Sequence, residues 1–178
     1  ATALTMAATA SLGLWQLDRA RQKTALQAAI LSRAELPAWD NAALLAQTDP
    51  SAGLYRPVRL RGQWIARHNV FLDNRQMAAR NGFILVTPLK LSGSGRAVLV
   101  QRGWVPRDFL DRNKLPEVLT PAEEVQVQGR LAPPPSQLFE LGAGVPGPIR
   151  QNIDVPAFAR ETGLPLLGGV SILQTGET

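Results

Sequence analysis

The chain has 178 residues, 45% hydrophobic against 19% charged, which suits one folded domain with its own core and excludes a largely disordered chain. Cysteine is absent and His68 is the only histidine, so these residues exclude a disulfide scaffold, a thiol nucleophile and a multi-histidine metal site within one chain. Lysine occurs only at Lys23, Lys90 and Lys114, so the net charge of +5 is carried by arginine; it suits nucleic acid, anionic lipid or an acidic partner, and equally an arginine-rich composition with no partner behind it.

Residues 1–17 (ATALTMAATASLGLWQL) carry no charged side chain. A bilayer span needs roughly 20 apolar residues, so this run sits at the lower edge. A signal peptide would end in a small-residue cleavage site. Here the run continues past Gly13 into WQLDRARQKTALQAAILSRA without a breaker. A buried soluble helix of Ala and Thr would cover little area. The expectation is a truncated transmembrane helix over 1–17 followed by a membrane-exit helix over 18–35. Trp15 then falls at the membrane–water boundary, where amphipathic rings belong. Ala3, Ala7 and Ser11 make a small-residue face suited to helix packing in lipid. Arg19, Arg21 and Lys23 follow directly, and on their own the positive-inside tendency would place them in the cytoplasm.

Residues 36–178 read as one β-rich domain. Asp40 is placed to cap a short helix over 41–47, and Asp49, Pro50 and Gly53 break the chain. From Tyr55 the period becomes two: Val58, Leu60 and Trp64 alternate with Arg59, Arg61 and Gln63. A second apolar run follows from His68 to Asp73. GFILVTPLKL and RAVLVQRGWV flank the turn 92–95 and predict a hairpin in which paired residue numbers sum to 187. Phe83 would then face Trp104, and Leu85 would face Arg102. Pro88 predicts an edge or a bulge at its own position. VQVQGRL is a further strand, residues 132–148 are irregular, Asp154 caps a helix over 155–162 that ends at Gly163, and GGVSILQ is a last strand. The fold class is α+β: an N-terminal helix, then an antiparallel sheet or partly closed barrel with short peripheral helices.

No catalytic constellation stands out. Glu123 and Glu124 are adjacent, so on a strand they point to opposite faces. Asp108 and Asp111 lie in a loop and read as solvated. SGSG joins two strands and is a turn, not a phosphate loop. His68, between Arg67 and Asn69, reads as a polar turn residue and not as a metal or haem ligand. The many arginines of the sheet invite a nucleic-acid reading, but Trp64, Phe71, Phe83 and Trp104 sit among apolar neighbours as core, not as stacking platforms. Arg102 either shares a buried face with Val98, Val100 and Trp104, and then needs a partner, or lies on a solvated face. Asp108, Asp111 and Asp154 are its candidate partners.

Three ordered motifs resemble one family. GLWQLDRARQK resembles the membrane-exit motif of the Surfeit locus protein 1 family through Gly13, Trp15, Gln16, Arg19 and Lys23. FLDNRQMAARNGFILVTPLK resembles a second stretch through Arg75, Gly82, Thr87 and Pro88. VLVQRGWVP resembles the most specific signature through Arg102, Gly103, Trp104, Val105 and Pro106, with Gln101 in place of asparagine. The resemblance implies a non-enzymatic cytochrome c oxidase assembly factor. Its domain would stand on the periplasmic side of the bacterial inner membrane between two membrane helices. The resemblance also implies haem a as the cofactor, delivered to or inserted in oxidase subunit I, with docking to subunit I or to the haem a synthase. The axial haem histidine is expected outside this chain, and no nucleic-acid partner is implied. The alternatives from other classes are an anchored periplasmic enzyme and a membrane-anchored module for anionic lipid or nucleic acid.

Overall fold

The computed structural model of the chain describes residues 2–142 and 144–176; Ala1, Ala143, Glu177 and Thr178, which the ranges above include, lie outside the described residues. The first element is one continuous helix, α1 (Thr2–Ala34), in which no residue is buried. Among the described residues no helix is long and apolar enough to cross a membrane. The helix meets the rest of the chain near its end, where Arg33 Nη1 donates to the Leu54 carbonyl at 3.0 Å. A short α2 (Asn41–Leu45) follows, capped as the sequence predicts: the Asp40 carboxylate accepts from the Ala43 N–H at 2.8 Å.

The strands are β1 (Pro57–Trp64), β2 (Val70–Met77), β3 (Arg80–Leu91), β4 (Ala97–Pro106), β5 (Val125–Ala132), the two-residue β6 (Ile149–Arg150) and β7 (Ser171–Gln174), with α3 (Val155–Thr162) before β7. Their order is β1-β5-β7-β4-β3-β2-β6, and a further β1–β3 pairing closes β1, β5, β7, β4 and β3 into a ring. The sheet is mixed: β7 runs parallel to β4 and β6 parallel to β2. The sequence predicts antiparallel connections throughout; it hides these two pairings because they join strands far apart in the chain.

Ring closure makes the core. Val58, Leu60 and Trp64 of β1 meet Leu89 and Leu91 of β3, Val98 and Val100 of β4, and Ile172 of β7 inside the ring. On the opposite face α3 lays Val155 and Phe158 over Val86 and Leu99. With both faces covered, Ala97–Val100 is a continuously buried run, not an alternating one. Each fully buried Leu, Val or Phe contributes about 1.5–3 kcal/mol relative to exposure. Helix α3 is bounded as its sequence predicts, with the Asp154 carboxylate accepting from the Ala157 N–H and Gly163 left-handed at φ +71°.

Pro88 is neither at an edge nor at a bulge; it pairs with Leu99 in mid-strand. Its carbonyl accepts from the Ile65 N–H at 2.9 Å, so its ring nitrogen faces the same side. On that side β3 changes neighbour, from β2 up to Val86 to β1 from Leu89. No ladder bond is lost because none is due at the changeover.

Candidate functional site

The predicted hairpin register holds over half its length. Lys90↔Ala97 to Val86↔Gln101 sum to 187, and then the register slips by one: Leu85 faces Gly103, Ile84 faces Trp104 and Phe83 faces Val105. The expected pairs Phe83–Trp104 and Leu85–Arg102 are therefore wrong. The cause is a bulge at Arg102, which has no partner across the ladder, followed by Gly103 at φ +141°. Glycine takes that backbone conformation without strain.

The bulge divides the signature between two faces. Arg102 stays on the ring-interior side with Val98 and Val100, and its guanidinium lies 4.5 Å from the centroid of the Trp64 ring. Its Nη1 donates to Thr120 Oγ1 at 2.9 Å and its Nη2 to the Leu119 carbonyl at 2.8 Å. Asp108, Asp111 and Asp154 are not its partners; the Arg102 charge is met by a ring face and neutral oxygens. Burial pulls its pKa below the ordinary value. Trp104 is turned to the other face, with Ile84, and so does not share a face with Arg102.

There Trp104 meets the second motif. Its Nε1–H donates to the Arg75 carbonyl at 2.9 Å. Gly82 lies between them: it faces Arg75 on β2 and Pro106 on β4. A Cβ at Gly82 would fall 2.5 Å from the Trp104 ring and would strike the Val105 carbonyl. The Arg75 guanidinium reaches the Ser136 and Gln151 carbonyls at 2.9 and 3.0 Å and so ties β2 to the long loop before β6 and to the residue that follows β6. Pro106 ends β4, and Arg107 beyond it pairs with Asp73, which is 8% exposed and also meets Arg112 at 3.6 Å. Thr87, fully buried, donates to Asn69 Oδ1 at 2.6 Å at the other end of β3, beside Pro88.

Seven of the predicted residues, Arg75, Gly82 and Arg102–Pro106, thus form one corner of the barrel. Thr87 and Pro88 do not join it. Gly13, Trp15, Gln16, Arg19 and Lys23 lie on the exposed part of α1, where Arg19 stacks on Trp15 at 5.1 Å. The Asp73–Arg107 pair and Trp64, the platform of Arg102, were missed in sequence. Asp73 had a signal: a carboxylate closing a buried apolar run. Trp64 had none, because it reaches Arg102 only through the ring closure.

The corner continues into a loop with an ordered tip. The Asp108 carboxylate accepts from the Leu110 and Asp111 N–H groups at 2.8 and 2.9 Å, and Lys114 pairs with it at 3.4 Å. These bonds hold the Asp108 carboxyl below its ordinary pKa. The turn presents Phe109, 100% exposed, and Leu110, 93% exposed. Glu124, far from this loop, is held by Ser92 and Arg61. The guanidinium groups of the corner are committed to protein partners, so its geometry is that of a braced joint.

His68 is the residue to weigh against the haem that the resemblance implies. His68 lies in the one-turn helix Ala66–His68, with Arg67 Nε donating to its Nε2 at 3.3 Å and Phe158 edge-on at 6.4 Å. Burial, then the Arg67 charge, pulls its pKa below the ordinary value. The Nε2 of the one histidine is thus already engaged by Arg67.

The model of the SURF1 family matches residues 3–176. The chain is similar to a SURF1-like protein of Rickettsia felis, 33% identical over 107 residues, covering 59% of this chain and 43% of that protein. A SURF1-like protein of Rickettsia conorii is 33% identical over 107 residues, covering 58% and 40%. The cytochrome oxidase assembly protein SHY1 of Saccharomyces cerevisiae is 28% identical over 160 residues, covering 85% of this chain and 40% of that protein. The matched part thus spans less than half the length of these relatives.

Proposed function

The chain belongs to the SURF1 family, and from that premise we propose that it acts as a non-catalytic assembly factor for a haem-copper cytochrome c oxidase. The observation that carries this reading is the family match over residues 3–176, supported by the similarity to the yeast protein named for oxidase assembly. The geometry of the corner suits the role. Its arginines brace loops, and its ordered tip offers Phe109 and Leu110 to a partner; such exposed apolar groups mark interaction sites.

In this reading the partner is oxidase subunit I, or the haem a synthase that serves it, and the step assisted is delivery or insertion of haem a. The domain docks and positions; haem ligation falls to residues other than those described here. The domain stands on the periplasmic side of the inner membrane. Its tether is the uncharged first half of α1, where Leu4, Leu12 and Trp15 are exposed and need a cover. Leu36, just after α1, and Thr175, after β7, line one and the same cleft, so the two ends of the domain lie on one side of it.

The test is copurification of the full-length protein from its own membranes. Wild type is expected to bring down oxidase subunits, and Phe109→Ser/Leu110→Ser to retain the fold and lose about tenfold or more of that yield, the loss expected when interface anchors are removed. Equal recovery with wild type and variant would remove the tip from the interface; no oxidase with wild type would remove the reading itself.

A further inference from the structure

A cleft of about 340 Å3 opens at the corner itself. Its apolar lining is Leu85, Val105 and Val118, and its polar side chains are Arg102 and Gln174. Gln174 follows Ile172 by two residues on β7, so it shares the ring-interior face on which Arg102 lies. Arg102 donates from Nη1 to Thr120 and from Nη2 to Leu119, and a guanidinium has further N–H groups to give. Among the described residues no carboxylate pairs with it. A cation partly withdrawn from water without a counter-charge favours an anion beside it. Gln174 Nε2 donates to the Gly176 carbonyl at 2.8 Å, but Gln174 Oε1 is buried without a donor. Buried acceptors are nearly always satisfied in native proteins, so this one asks for a donor in the cleft. The backbone adds a third feature. On its outer side β4 pairs with β7 only at Val100 and Gln101. Past the bulge, Gly103 to Val105 pair with β3 on one side and with no described strand on the other. That open edge borders the cleft, since Gly103 and Val105 both line it.

An unmatched cation, an acceptor without a donor and an open strand edge on one cleft select one ligand chemistry. We propose that this cleft binds an extended acidic peptide segment of a partner protein. The segment lies along Gly103–Val105 as an added strand, a mode in which main-chain hydrogen bonds give affinity and side-chain pockets give specificity. A carboxylate of the segment meets the Arg102 guanidinium, a backbone N–H of the same segment donates to Gln174 Oε1, and an apolar neighbour packs on Leu85 and Val118. A free carboxylate would satisfy Arg102 alone; a peptide brings anion, donor and strand together. The volume falls within the range of ligand sites, for which the mouth of a β-barrel is a recurrent place. The site is read from the barrel alone and does not depend on the assembly role.

The test titrates the 15N-labelled whole chain with acetyl-Leu-Glu-Leu-amide. The controls are acetyl-Leu-Gln-Leu-amide, which keeps the backbone and loses the charge, and isovalerate, which keeps the charge and loses the backbone. The expected result is a saturable shift of the Gly103 and Val105 amide signals and of the Arg102 Nε–H signal with the glutamate peptide, with slower hydrogen exchange at an amide of the open edge. Both controls should bind more weakly by about tenfold or more. Arg102→Gln should lower the affinity for the glutamate peptide by about tenfold or more, because it removes the charge-assisted contact. Gln174→Leu leaves the bonds of Arg102 in place and so tests the site even if Arg102→Gln fails to fold. It should lower the affinity by about fivefold, the loss expected of one neutral hydrogen bond. Absence of a saturable shift with the glutamate peptide, equal binding of either control, or undiminished binding in Gln174→Leu or in a folded Arg102→Gln would each overturn the proposal.

Discussion

Arg102→Ala removes two hydrogen bonds to neutral oxygens and one stacking contact, not an ion pair. Its cost is accordingly below that of stranding a buried carboxylate. Hydrogen bonds from a charged donor and a cation–π contact together suggest about 2 kcal/mol. Chemical denaturation of Arg102→Ala should show that loss, with Arg102→Lys recovering only part of it, because lysine lacks the planar fork that meets Thr120 and Leu119 together. A variant as stable as wild type would refute the bracing role. In the sequence this residue was half legible. An arginine beside buried valines needs a partner, and it has one. Which partner could not be read, because Trp64 and Thr120 are brought in by strands and loops far along the chain.

At the scale of elements, caps and turns with ordinary chemistry were legible: Asp40 and Asp154 cap their helices, Gly163 ends α3, and 92–95 turns the hairpin. The β2–β3 turn was not. It is made by Ala78 and Ala79, both with positive φ (+48° and +62°), a conformation that normally selects Asn-Gly. Ala78→Asn/Ala79→Gly should therefore raise stability by about 1 kcal/mol, read as a higher melting temperature; no gain would mean the turn is unstrained. The bulge was legible as a property of Gly103 but not as a shift of register, since nothing local says which residue is extra. The two corner glycines are required for different reasons. A Cβ at Gly103 meets nothing within 4 Å, so its substitution is opposed by φ alone, whereas a Cβ at Gly82 collides with Trp104 and the strand beyond. Gly82→Ala should cost about 1–3 kcal/mol and shift the Trp104 indole N–H resonance as its bond to the Arg75 carbonyl loosens. An unmoved resonance would contradict the packing described for the corner.

For the molecule as a whole, the α+β class and the family were legible from three ordered motifs, and the family model over residues 3–176 bears the resemblance out. Those motifs proved to be largely architectural. Two of them build one corner, and the third lies on α1, apart from the barrel. Ring closure through β1–β3 and the parallel seating of β7 on β4 are long-range pairings that no local pattern encodes, and they decide where Arg102 points. The claim that rests on this whole is the role in oxidase assembly. It is tested most directly by the difference spectrum of haem a in membranes from cells lacking the protein. The account predicts that the oxidase signal falls severalfold, that the full-length protein restores it, and that Phe109→Ser/Leu110→Ser restores it poorly. A signal at the wild-type level in cells lacking the protein would contradict the account.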